Sequence, residues 1–85
     1  MTELTDLVNH ARKGDQKALS ELVTRYRLAA LGVAQNILGD RDDAEDAVQS
    51  AWVLAIQSLD SLRDATKFGA WFYRVVANVS LRKRQ

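Results

Sequence analysis

The chain has no cysteine, no proline, a single histidine (His10) and only four glycines among its 85 residues. Without cysteine there is no disulfide framework, no thiolate nucleophile and no cysteine-based zinc site, and nothing points to an oxidising compartment. His10 therefore lacks the companions a metal site needs and is read as a surface residue. Serines 20, 50, 58, 61 and 80 have no second histidine to choose from as a base, and neither familiar glycine-rich phosphate loop is present. The acids at 40, 42, 43 and 46 admit a magnesium reading, but helix capping and partner binding explain them more simply. The expectation is a protein that is not an enzyme and carries no cofactor.

Long apolar runs are missing too. None approaches the ~20 residues that span a bilayer. The opening residues Met1 to Asp6 lack the basic start and apolar run of a signal peptide. A cytoplasmic protein without membrane insertion is expected. With no proline, scattered glycines and no internal repeat, no stretch reads as a linker, and 85 residues at 47% hydrophobic content suit a single domain over residues 1–85.

What the chain does have is apolar spacing of three or four almost throughout, without sustained alternation, which predicts an all-α, compact bundle of four helices. Leu4, Leu7, Val8 and Ala11 stripe a helix over about 2–13, stopped by Gly14-Asp15. Leu19, Leu22, Val23, Tyr26, Ala30, Val33 and Ile37 stripe a long helix over 15–38, with Gly39 suited to a left-handed cap. Asp42 or Asp43 is the expected cap of a third helix over 43–58, Asp42 and Glu45 having capping-box spacing. After the polar stretch 60–67, with Thr66 as the expected cap, Phe68, Phe72, Val75, Val76 and Val79 share one face of a last helix over 67–84. A functional loop precedes that helix.

Charge is partitioned along the chain. Residues 1–38, 39–50, 51–62 and 63–85 carry balances of +1, −4, −1 and +5, consistent with the formal +1 of the whole. An acidic middle and a basic end can present two unlike surfaces, although accidental clustering on a solvated surface is an equal alternative from charge alone. On the third helix, an arc of Ala44, Ala47, Val48, Ala51, Trp52, Leu54, Ala55 and Ile56 is expected to face the core. The other arc carries Asp46, Gln49, Ser50, Val53 and Gln57: one acid, two amides and an exposed valine, without lysine, a composition that suits protein contact as well as solvent. On the fourth helix Trp71, Arg74 and Asn78 fall together on one flank, where they can stack on a base, meet a phosphate and bond a base edge. The plain alternative is that Trp71 completes the core.

The segment Asp43-Ala-Glu-Asp-Ala-Val-Gln49, a polar loop, and then Phe68-Gly-Ala-Trp-Phe-Tyr-Arg-Val-Val-Ala-Asn78 resembles region two of the extracytoplasmic-function sigma factors of bacterial RNA polymerase. Two motifs in the right order and spacing, within a match over nearly the whole chain, make the signal specific. The resemblance implies a domain that docks on the clamp coiled coil of the polymerase β′ subunit through Asp46, Gln49, Ser50, Val53 and Gln57. It implies recognition of the minus-ten promoter element, opened as single-stranded DNA, chiefly the non-template strand. The loop Ser61 to Lys67, with Arg63, would hold a flipped base; Trp71, Arg74 and Asn78 would serve as wedge, phosphate contact and base reader; Arg82, Lys83 and Arg84 would follow the backbone. An anti-sigma factor is a further implied partner. The chain departs from the family pattern at Gly69-Ala70, where a basic and a hydroxyl residue are common, at Ser50 in place of a glutamate, and at Ala47. It also stops at Gln85, before the carboxy-terminal helix-turn-helix of a whole sigma factor, so an excised domain is expected. The alternatives are a sigma-like domain that binds polymerase or an anti-sigma factor without engaging DNA, and an unrelated helical module that reads duplex DNA.

Overall fold

The computed structural model describes residues 3–85. Four helices account for most of it: α1 (Leu4–Arg12), α2 (Gln16–Leu38), α3 (Arg41–Ser58) and α4 (Phe68–Arg84), with two short 3-10 turns, Leu59–Ser61 and Ala65–Lys67, between α3 and α4. The all-α four-helix architecture expected from the spacing is the one observed; the expected start of α1 at residue 2 lies outside the described residues. No helix among the described residues is long and apolar enough to cross a membrane.

Helix ends follow capping chemistry. Gly14, at φ 91°, turns the chain out of α1. Asp15 then caps α2, its carboxylate accepting from the backbone N–H of Lys17 at 2.9 Å and of Ala18 at 3.2 Å. Gly39, at φ 73°, ends α2 in the left-handed conformation and donates to the Gln35 carbonyl at 2.8 Å. Two expected caps are corrected. α3 starts at Arg41, with Asp40 rather than Asp42 or Asp43 as its cap; Asp40 accepts from the N–H of Asp43 at 2.9 Å. Glu45 takes no part in a capping box with Asp42, and instead accepts from Arg41 at 3.1 Å, four residues back. At the start of α4, Thr66 is not the cap: Lys67 holds the N-cap position with no side-chain cap hydrogen bond, and Thr66 donates its N–H at 3.0 Å and its hydroxyl at 2.6 Å to Asp64, which caps the preceding 3-10 turn. Asp64 is the extended residue that opens that turn, where a carboxylate accepts the free N–H groups.

Helices α2, α3 and α4 pack mutually, and α1 lies across α2 and against the second 3-10 turn. The α3 face of the core is built from small residues: Ala44, Ala47, Ala51 and Ala55 are all but fully buried, with Val48 and Trp52 between them. Alanine lets neighbouring backbones approach closely, which narrows the buried seam. Leu54 and Ile56, expected inside, are therefore outside it, 40% and 47% exposed. On α4 the buried line is Phe68, Phe72, Val76 and Ser80, while Val75 and Val79, expected at its centre, are half-buried on its edge. An aromatic knot ties three helices together. Trp52 packs 4.0 Å, centroid to centroid, from Phe72; Phe72 lies 5.8 Å from Phe68; and Tyr26 meets Phe68 edge-on at 5.2 Å.

Candidate functional site

The regular rise of α3 lines up Asp46, Gln49, Ser50, Val53 and Gln57 as one outward stripe, and all five are exposed, Val53 at 56%. None of their side chains makes a hydrogen bond or ion pair among the described residues. Leu54 and Ile56 flank this stripe and add apolar area that the sequence pattern had assigned to the core. The acids nearer the start of α3 have other duties: Asp40 caps the helix and Glu45 pairs with Arg41. No group of three or more histidine, cysteine or acidic side chains among the described residues could hold a metal.

On α4, Arg74 and Asn78 are exposed and Trp71 is half-buried, its ring 5.8 Å from that of Phe68 and tilted by 50°. Trp71 packs partly against the core, as the plain alternative expected, and the rest of its surface is accessible. Arg82, Lys83 and Arg84 are exposed at the end of α4. In the preceding loop Ser61, Arg63 and Lys67 are exposed, with the Ser61 hydroxyl donating to the Ser58 carbonyl at 2.6 Å. That bond closes the first turn and leaves the Ser61 oxygen available as an acceptor. The hydrogen bonds from Thr66 hold the Asp64 carboxyl below the usual carboxylate range, so the second turn keeps a negative charge between Arg63 and Lys67.

The two candidate surfaces meet. Ser50, Val53 and Leu54 of α3 line an open groove with Val79 and Arg82 of α4, and that groove continues past Ser58 to Val75 and Asn78. The loop residues, beyond the end of this groove, are positioned separately.

Two further features had weak or no sequence signal. Leu28 is 80% exposed on α2, where it falls between the stripe positions Tyr26 and Ala30; its place off the stripe is the signal that was available. The Arg12 guanidinium of α1 donates to the Leu62 carbonyl in the loop, a bond across fifty positions that no local pattern announces.

The family model described as sigma-70 region 2 matches residues 22–85. The chain belongs to the sigma-70 region 2 family. It is 38% identical over 80 residues to the ECF RNA polymerase sigma-E factor of Escherichia coli strain K12, an alignment covering 92% of this chain and 41% of that protein. It is 35% identical over 80 residues to the protein of the same description from Haemophilus influenzae, covering 92% and 42%. The chain thus spans about two fifths of the length of these relatives. No solved structure matches it significantly. Membership of region 2 gives the α3 stripe and the α4 flank a common frame, because both fall inside the matched residues, whereas α1 lies before them.

Proposed function

We propose that this chain is the part of a transcription initiation factor that docks on RNA polymerase and holds open the minus-ten promoter element, with no chemistry of its own. The observation that carries this reading is the α3–α4 groove, where an unpartnered stripe suited to a protein contact adjoins a flank suited to nucleic acid. Asp46, Gln49, Ser50, Val53 and Gln57 meet the β′ clamp coiled coil. Trp71 stacks at the edge of the opened DNA, Arg74 meets a phosphate, Asn78 reads a base, and the Ser61–Lys67 loop, with Arg63, holds a base flipped from the non-template strand. Arg82 and Lys83 follow the backbone. The protein works where polymerase works, in the cytoplasm.

The energetics suit assistance rather than independent melting. Opening duplex costs on the order of 1.4 kcal/mol per base step, and stacking on an aromatic ring returns about 1–3 kcal/mol per captured base. One half-buried tryptophan stabilises a short bubble that polymerase has begun.

The deciding experiment measures binding to a β′ clamp coiled-coil fragment. Wild type binds, and Asp46→Ala with Gln49→Ala weakens it by ~1–3 kcal/mol, the loss of charged and polar hydrogen bonds. Equal binding by both proteins removes the α3 stripe from the interface. Arg74→Ala with Asn78→Ala leaves this binding intact and abolishes promoter opening by the reconstituted polymerase.

A second reading, docking on polymerase or an anti-sigma factor without DNA engagement, is favoured by one observation. Gly69 and the exposed Ala70 put neither a cation nor a hydroxyl on the first turn of α4, and a Cβ at Gly69 would press on the Tyr26 ring. Promoter opening that is unchanged by Arg74→Ala with Asn78→Ala selects this second reading.

A further inference from the structure

Residues 59–67 join α3 to α4 and contain the candidate base-holding side chains. Leu59, Leu62 and Ala65 anchor the segment in the core, at 6%, 7% and 7% exposure. Its polar bonds are local. Leu62 N–H donates to the Leu59 carbonyl at 3.2 Å and Lys67 N–H to the Asp64 carbonyl at 3.0 Å, while Asp64 receives Thr66. Each bond closes one turn on itself. None fixes the first turn relative to the second; between them Leu62 and Asp64 are extended (ψ 109° and 105°) and the chain bends at Arg63.

The junction is held from elsewhere in the chain. The carbonyl of Leu62, where the first turn ends, accepts a hydrogen bond from Nη2 of Arg12 at the end of α1. Asn9, one turn earlier on α1, accepts from Nη1 of the same guanidinium at 3.2 Å and so orients it. The Arg12 Nε is buried with no hydrogen-bond partner. A long cationic side chain at a helix end satisfies all its donors when it extends into water; this one gives up a donor to reach a backbone carbonyl on another element, an arrangement unfavourable to its own solvation. Arg12 also lies outside residues 22–85, the part of the chain matched by the region 2 family.

We infer that Arg12 is a positioning residue for the captured base: by holding the Leu62 carbonyl it fixes the two turns in one relative orientation, so that α1 sets how the loop presents Ser61, Arg63 and Lys67. The inference rests on the base-holding role proposed above for that loop. A loop ordered before binding spends less of the interaction on ordering itself, so affinity for the base rises without a new contact. Arg12 touches no DNA in this scheme. Its contribution belongs to the part of binding that depends on the flipped base, and not to the part that follows the phosphates.

The test has two arms on the 85-residue chain. In the first, without DNA, amide hydrogen exchange is followed at Leu62, Thr66 and Lys67. Arg12→Ala accelerates it about tenfold, as expected for one charge-assisted hydrogen bond, while interior amides of α3 and α4 keep their rates. Unchanged exchange at these three amides overturns the inference whatever the DNA results. In the second, the probe is the single-stranded oligonucleotide that wild type selects from a randomised pool, together with copies carrying one abasic position each. Wild type discriminates against the abasic copy at the captured position; Arg12→Ala loses most of that discrimination yet binds the abasic copy as wild type does. Arg12→Lys and Asn9→Ala, which keep a donor but misplace it, fall between. If Arg12→Ala weakens both strands equally and lowers the melting temperature, Arg12 merely supports the fold and the inference is overturned alone. If wild type itself shows no discrimination, the base-holding reading fails and the inference falls with it.

Discussion

Gly69 shows how a single missing Cβ shapes the start of α4. A Cβ at this position would stand 3.2 Å from Cε1 of Tyr26 and 3.4 Å from its hydroxyl oxygen. The Tyr26 ring has little room to retreat, being set edge-on against Phe68 at 5.2 Å and Tyr73 at 5.8 Å. Burial of the ring, and Tyr73 beside it, raise the Tyr26 phenol above its usual range, so it stays neutral. Any side chain at this position meets the tyrosine ring first. Two effects oppose each other on adding a methyl: alanine is better than glycine in a helix by up to ~1 kcal/mol, and overpacking costs about 1–3 kcal/mol. Overpacking wins where the neighbour is a ring pinned on two sides. Gly69→Ala is therefore expected to destabilise by about 1 kcal/mol in urea unfolding. In a Tyr26→Leu background the same change should become neutral or stabilising. Stabilisation by Gly69→Ala in the wild type would mean that the ring is free to move.

At the scale of elements, α3 carries the most consequence, and its start tests the capping assignment. Asp40 accepts from the N–H of Asp43, whereas Asp42 and Asp43 lie within the first turn and interact with the helix end only through its dipole. Asp40→Ala should cost ~1 kcal/mol of stability, and Asp42→Ala only a few tenths. A loss at Asp42 equal to that at Asp40 would restore the later start that spacing alone suggested. Helix number, order and extent were legible in the sequence because the apolar period and the glycines at 14 and 39 are local signals. The caps were ambiguous because aspartates stand at 40, 42 and 43, and local spacing does not say which one has extended backbone. The inward arc of α3 was drawn too wide for a different reason. Leu54 and Ile56 are apolar, but how far a core reaches around a helix depends on how closely its neighbours approach, and the alanine seam that permits this approach is a property of the pair rather than of the helix.

For the whole molecule, the two candidate surfaces were legible as separate helix faces, and their meeting along the Val53–Leu54–Val79–Arg82 groove was not, since it depends on the packing of α3 against α4. The same holds for the tie from Arg12 to Leu62. The partition of charge, −4 over residues 39–50 and +5 over 63–85, gives those surfaces opposite character on one small body. Contacts of different kinds should then separate by their salt dependence. Lys83 is exposed beyond the groove, and as a phosphate contact it contributes counterion release: Lys83→Ala should weaken binding to every single-stranded sequence alike and lower the slope of log K against log salt by about 0.7. Trp71 contributes stacking, which involves no counterion. Trp71→Ala should cost ~1–3 kcal/mol with the slope unchanged. Neither change should alter binding to the clamp fragment, because neither residue belongs to the α3 stripe. A slope left unchanged by Lys83→Ala would mean that the basic end of α4 does not follow the DNA backbone, and that the phosphate contacts of this helix end at Arg74.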